Sequence, residues 1–188
     1  MSTKVKPLRR GLVKPRLHSP LLKGKARIDE VSDLADKIGY PLLPWQRFVL
    51  EDMLRVDAAG AFVRKTNLVL CARQNGKTHL ARMRILAGMF LFDEKKILIM
   101  SSNRGMALST FREVAYAIEG CPELKALVKA IRYANGTESI ELLNGSRLDV
   151  VAATRDGSRG RTADLLFIDE VREITEEGYA AALPTTRA

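Results

Sequence analysis

Residues 71–78, Cys-Ala-Arg-Gln-Asn-Gly-Lys-Thr, constrain the fold of this chain more than any other stretch. Before them lies a short apolar run, 68–72. After them comes a segment rich in Ala, Leu, Met and Arg, 77–91, with the composition of a helix. Strand, tight turn and helix in that order make a phosphate-binding loop. Backbone N–H groups in the turn and at the helix N-terminus converge on an anion there. Gly76 lets the backbone approach closely, Lys77 supplies a positive charge for β- and γ-phosphates, and Thr78 offers a hydroxyl to magnesium. The usual first glycine of such loops is Cys71 here, so a strict pattern misses the motif. Cys71 reads as a small buried residue at the strand end, with no sign of a catalytic thiol. The bland alternative is a chance Gly-Lys-Thr at a helix start, and the flanking strand and helix patterns argue against it.

The second constraint is Leu-Leu-Phe-Ile-Asp-Glu at 165–170, an apolar strand that ends in two adjacent carboxylates. In chemistry on a nucleoside triphosphate, the first carboxylate, Asp169, holds magnesium. The second, Glu170, orients and deprotonates the attacking water. Alone, the pair could be an acidic cap on the following helix. Downstream of a phosphate loop it points to magnesium-dependent hydrolysis of ATP.

Other candidates surround these motifs. Ala72, Arg73, Gln74 and Asn75 form the body of the loop, and Arg73 adds a cation beside the phosphates. Gln46, after Pro44-Trp45, is an amide suited to two hydrogen bonds with an adenine edge. Arg155, Arg159 and Arg161 share a Gly-flanked polar loop, and Arg159 is the candidate finger reaching a neighbouring subunit. Asn103 and Arg104 follow a strand end and are placed to face the same site or DNA. Ordinary solvated roles are open to all of these arginines.

Along the chain, Ile28, Val31, Leu34, Ala35 and Ile38 fall at helical spacing, and Gly39 supplies a stop. A second helix is expected from Pro44 to Leu54, and a short strand at 61–64. Buried parallel strands are expected at 68–72 and 96–101, with a helix at 105–119. Asn135-Gly136 and Asn144-Gly145 mark tight turns between strands at 131–134, 138–142 and 147–152, a small antiparallel insertion or sheet edge. A strand at 165–169 and a helix from Thr175 to Leu183 complete the reading. Alternating strands and helices predict an α/β class, three-layer P-loop NTPase domain with a parallel sheet.

The net charge of +9 is confined to one end. Residues 1–28 hold nine basic side chains and no acid, whereas 29–188 balance 22 basic against 22 acidic. With Pro7, Pro15 and Pro20 and no periodicity, residues 1–28 read as a disordered or loosely docked basic arm. Such an arm either touches nucleic-acid phosphates in a salt-sensitive way or only solubilises and docks. The domain proper is 29–188. Two cysteines and two separated histidines exclude a disulfide framework and a zinc cluster. No apolar run approaches the roughly 18 residues that span a bilayer, and no signal peptide is visible, so an intracellular setting is expected.

With these residues assembled, the chain resembles the N-terminal ATPase half of a tailed-phage terminase large subunit. The resemblance rests on Pro44-Trp45-Gln46, on residues 72–78, and on Arg159-Gly160-Arg161 leading into 165–170. It covers about residues 40–188. It implies an ASCE-type P-loop fold, with ATP and Mg2+ as ligands. Gln46 would contact adenine, Arg73 and Lys77 the triphosphate, and Thr78 and Asp169 magnesium. Glu170 would be the catalytic carboxylate and Arg159 a trans-acting finger. It also implies translocation of double-stranded DNA into a procapsid in the host cytoplasm. The partners would be the portal protein, the small terminase subunit and further copies in a ring, typically a pentamer. Members of the family continue into a coupling motif and a nuclease domain, which this chain lacks. A strand that related ATPases insert between the phosphate-loop strand and the Asp-Glu strand is missing as well. The expectation is a domain truncated before its last strands, with exposed apolar surface and unpaired backbone groups, perhaps completed by a second polypeptide. The competing readings are a helicase-like translocase and a catalytically silent module that binds DNA or capsid.

Overall fold

The computed structural model describes residues 11–152, 162–182 and 186. Its sheet grows from the two apolar runs with the clearest strand character. Lys96–Ser101 (β3) pairs in parallel with Leu165–Asp169 (β7) on one side and Arg147–Ala152 (β6) on the other. Ser139–Leu142 (β5) and Val128–Arg132 (β4) then extend the sheet antiparallel. The order is β4-β5-β6-β3-β7. The insertion expected at the Asn-Gly turns is therefore one edge of the main sheet. Gly136 and Gly145 take φ of 88° and 86°, the left-handed conformation that glycine adopts without a Cβ penalty.

Alternation along β3 decides the layers. Ile97 and Ile99 face a large core shared with Ile28–Lys37 (α1), Pro44–Met53 (α2), Lys77–Phe90 (α3) and Arg104–Glu119 (α4). Leu98 and Met100 face a smaller cluster with Val151, Ala163 and Ala182, the last from Glu176–Ala182 (α6). Helices thus cover both faces, as a three-layer domain requires. A short helix, Pro122–Lys125 (α5), links α4 to β4. Helix α3 is buried around most of its girth, with Leu80, Met83, Ile85, Leu86, Ala87 and Met89 all inside. That explains a composition with little amphipathic contrast.

The basic arm is partly docked. Lys25–Ala26 (β1) pairs with Arg55–Val56 (β2), the Leu22 N–H donates to Asp52 at 3.1 Å, and His18 meets Phe48 edge-on. Residues 1–10 lie outside the described residues.

Two expected strands are corrected. Residues 61–64 form no strand and contribute one isolated bridge, Val56 to Phe62. Residues 68–72 are also irregular, and the two leucines expected inside are exposed, Leu68 by 71% and Leu70 by 87%. A parallel strand exists only where a neighbour supplies its hydrogen bonds. Among the described residues the outer side of β7 meets only the isolated bridge between Ala163 and Thr186, so 68–72 has no strand to join. The exposed leucines are the apolar surface expected of a sheet without its intervening strand.

Candidate nucleotide site

The loop approaches the sheet through the start of α3. Gln74 and Gly76 adopt positive φ, 61° and 83°, which turns the chain sharply into the helix. Lys77 is the first helical residue, and no side chain caps this N-terminus. Its orphan N–H groups, with the positive end of the helix dipole, are those an anion would satisfy. Cys71 is half-buried and a free thiol, on irregular backbone rather than at a strand end. Ala72, Arg73, Gln74, Asn75 and Thr78 are exposed.

Strand β7 delivers its two carboxylates to the same place. Lys77 Nζ donates to Glu170 Oε1 at 2.6 Å and lies 3.4 Å from Asp169 Oδ1. Asp169 Oδ1 also accepts from the Glu170 N–H at 3.0 Å. Glu170 has left-handed backbone, φ 49° and ψ 53°, uncommon for a residue with a Cβ. That turn separates its side chain from the line of the strand and sends the chain into a 3-10 turn, Val171–Glu173. The ammonium of Lys77 holds the Glu170 carboxyl below the usual range, with smaller help from Arg172 and Arg73. Reciprocally, the Glu170 hydrogen bond holds the Lys77 amine above its ordinary value against the opposing effect of burial. The two motifs, 93 residues apart in sequence, are in direct contact.

Gln46 sits beside this loop and is fully buried. Its carboxamide oxygen accepts from the Leu43 N–H at 2.8 Å, and its nitrogen donates to the Gly76 carbonyl at 2.9 Å. The amide is thus engaged with backbone on both sides, where adenine contact was expected.

Asn103 and Arg104 have structural partners. The Asn103 side chain accepts from the Gly105 N–H at 2.8 Å and caps α4, while Arg104 pairs with the buried Glu138. Burial pushes the Glu138 carboxyl up, but its own backbone N–H and Arg104 outweigh this and hold it low. Arg155, Arg159 and Arg161 lie outside the described residues.

Sequence reasoning missed Arg172, whose Nε is 3.3 Å from Glu170 Oε2. Its position two residues past the Asp-Glu pair was the available signal. It also missed the group that braces the first turns of α3. The Arg82 guanidinium stacks 4.1 Å from the Tyr40 ring centroid, pairs with Glu113 at 3.0 Å and bonds His79 Nδ1 at 2.8 Å. Burial, then the Arg82 charge, keeps the His79 imidazole below its usual pKa.

Among the described residues no three His, Cys, Asp or Glu side chains gather as a metal cage. Magnesium does not need one. It commonly takes one or two carboxylates and completes its shell with phosphate oxygens and water. Asp169 and the Thr78 hydroxyl fit that donor set.

The comparisons agree with this geometry. A family model described as the ATPase domain of the terminase large subunit matches residues 44–186. The fold is similar to the large terminase of bacteriophage HK97, with TM-score 0.69 and 19% identity over 85% of this chain and 35% of that one. It is also similar to the large terminase ATPase domain of Thermus phage P74-26. Two structures, one of a point mutant, give TM-scores of 0.62 and 0.60 at 18% and 19% identity, covering 80% of this chain and 62% of theirs. The chain therefore spans less than two thirds of the length of each. No curated protein matches it. The family model covers most of the chain, and the fold and the two motifs in contact agree with it: the chain belongs to the terminase large subunit ATPase domain family.

Proposed function

We propose that this domain binds ATP with magnesium between the N-terminus of α3 and the end of β7, hydrolyses it, and uses the hydrolysis to move viral double-stranded DNA into a procapsid. The observation that carries this reading is the 2.6 Å contact of Lys77 with Glu170, which brings a phosphate-binding cation and a base to one point.

Each residue then has a task. The loop N–H groups and Lys77 hold the phosphate chain. Arg73, exposed beside them, adds positive charge as negative charge develops on the transferred group. Thr78 and Asp169 would hold magnesium, which supplies charge neutralisation at the phosphate oxygens. When the triphosphate draws Lys77 away, Glu170 is released to take a proton from the attacking water. The water oxygen forms the new bond to the γ-phosphorus, the bridging bond to the β-phosphate breaks, and ADP and phosphate result. Arg159 is the proposed finger from a neighbouring subunit in a ring, the pentamer being the expected size. The portal protein, the small terminase subunit and a polypeptide carrying further terminase segments are the proposed partners. The setting would be the procapsid portal in the host cytoplasm. No helix is long and apolar enough to cross a membrane among the described residues.

Magnesium-dependent ATP hydrolysis by the protein, alone and with double-stranded DNA, compared with Lys77→Ala, tests the reading. Turnover that the substitution abolishes is expected. Equal turnover in both proteins would refute it, and strand unwinding with stimulation by single-stranded nucleic acid would favour a helicase-like translocase.

A further inference from the structure

We infer that Gln46 acts on the phosphate loop, not on the base: it is a positioning residue that fixes the last peptide of the loop against α2. The inference rests on the nucleotide-binding reading above and assigns this side chain a task within it. Gln46 is 0% exposed, so its amide meets no solvent-filled space where a base edge would compete for it. Its two polar ends are matched to two backbone groups of opposite character. The oxygen faces a donor, the Leu43 N–H at 2.8 Å, and the nitrogen faces an acceptor, the Gly76 carbonyl at 2.9 Å. Only one orientation of the carboxamide satisfies both.

The packing is as restrictive as the hydrogen bonding. A Cβ built on Gly76 would come within 2.7 Å of Gln46 Nε2. The glycine at this place therefore serves two needs, the left-handed φ of 83° and the close approach of the amide. The Gly76 carbonyl also accepts the first helical bond of α3, from the Leu80 N–H at 3.2 Å. Gln46 thus grips the peptide that sets where the helix begins and where its N–H groups point. Helix α2 and the loop, 30 residues apart, become one unit at this contact.

The role separates from base reading by ligand choice. A loop clamp acts on every ligand that carries a phosphate chain, whereas a base reader acts on adenine alone. Gln46→Glu keeps the acceptor for Leu43 and loses the donor to Gly76. Gln46→Met keeps the shape and loses both bonds. With ATP, GTP and inorganic tripolyphosphate as probes, both variants should bind all three about tenfold more weakly than wild type. For Gln46→Glu the loss should shrink as pH falls, because a protonated carboxyl can again donate to the Gly76 carbonyl. Amide hydrogen exchange without nucleotide should show residues 72–79 opening faster in both variants, with α4 unchanged. A loss confined to ATP, with tripolyphosphate unaffected, would overturn the inference in favour of adenine contact. Unchanged exchange at 72–79 would overturn it too. The exchange measurement needs no ligand, so it judges the clamp even if wild type binds none of the probes, a result that would instead sink the proposed function.

Discussion

Lys77 Nζ donates to Glu170 Oε1 at 2.6 Å, so the phosphate-binding cation and the proposed base neutralise each other before any nucleotide arrives. A carboxylate held by an ammonium is a poor base. A phosphate chain that competes for Lys77 frees it, which couples the appearance of the base to occupancy of the site. Glu170→Gln removes the charge and releases Lys77. We expect ATP to bind at least as tightly as to wild type, while hydrolysis falls by roughly 10²–10⁴, the usual contribution of a positioned base. Equilibrium nucleotide binding and single-turnover hydrolysis check the two halves separately. Equal loss of both would undo the assignment.

The same contact predicts a pH dependence. The Glu170 carboxyl is held below 4.5 and the Lys77 amine above 10.5. A depressed carboxyl contributes stability that is present above its unfolded value and lost as pH falls through its folded one. A raised amine contributes stability that is present below its unfolded value and lost as pH rises through its folded one. Between 4.5 and 10.5 the pair is therefore fully formed in the nucleotide-free protein. The difference in thermal midpoint between wild type and Glu170→Gln should be flat across that window and shrink on the acid side. A difference that changes near neutrality would mean that another group governs the contact.

The exposed leucines of the loop approach give a prediction of opposite sign to the one that the sequence invites. If 68–72 were a buried strand, Leu70→Ala would cost about 2–5 kcal/mol, as core truncations do. With Leu70 87% exposed, the cost should stay within about 0.5 kcal/mol. Ile99→Ala, in a strand with no exposed surface at that position, should show the full core penalty. Urea denaturation of the two variants decides between them.

Leucines at 68 and 70 and isoleucines at 97 and 99 look alike in sequence, and this is where legibility ended. Apolar runs announce strands, but membership of a sheet depends on a neighbour that local pattern does not contain. Strand β3 has β6 and β7 on its two sides, and 68–72 has neither. Helices α1 to α4 were legible because their periodicity is internal. The hairpin turns were legible because Asn-Gly demands positive φ wherever it falls. At the site, residue types gave Lys77, Asp169 and Glu170, whose chemistry is specific. The engagement of Gln46 was hidden, because an amide serves backbone and base equally well and only the fold brings Gly76 beside it. Asn103 and Arg104 were misread for a related reason: their partners, the start of α4 and Glu138, are fixed by tertiary packing.

A last prediction concerns the brace behind the loop helix. Arg84 grips Glu94 with two hydrogen bonds, 2.8 and 2.6 Å, with both side chains largely withdrawn from water. The guanidinium also lies 5.1 Å from the Phe62 centroid and 5.6 Å from that of Phe92, and those rings meet edge-on at 5.2 Å. The pair ties the C-terminal half of α3 to the turn that leads into β3, far from Lys77 at the other end of the helix. Removing one partner leaves a charge in an apolar setting, a change that costs about 3 kcal/mol or more. Glu94→Ala should therefore lower the urea midpoint strongly, while Glu94→Gln, which keeps one acceptor for the guanidinium, should cost less. Neither substitution touches the phosphate loop, so nucleotide affinity measured well below the unfolding transition should match wild type. A loss of affinity there would show that the far end of α3 is coupled to the loop, and the helix would have to be treated as a lever rather than a fixed mount.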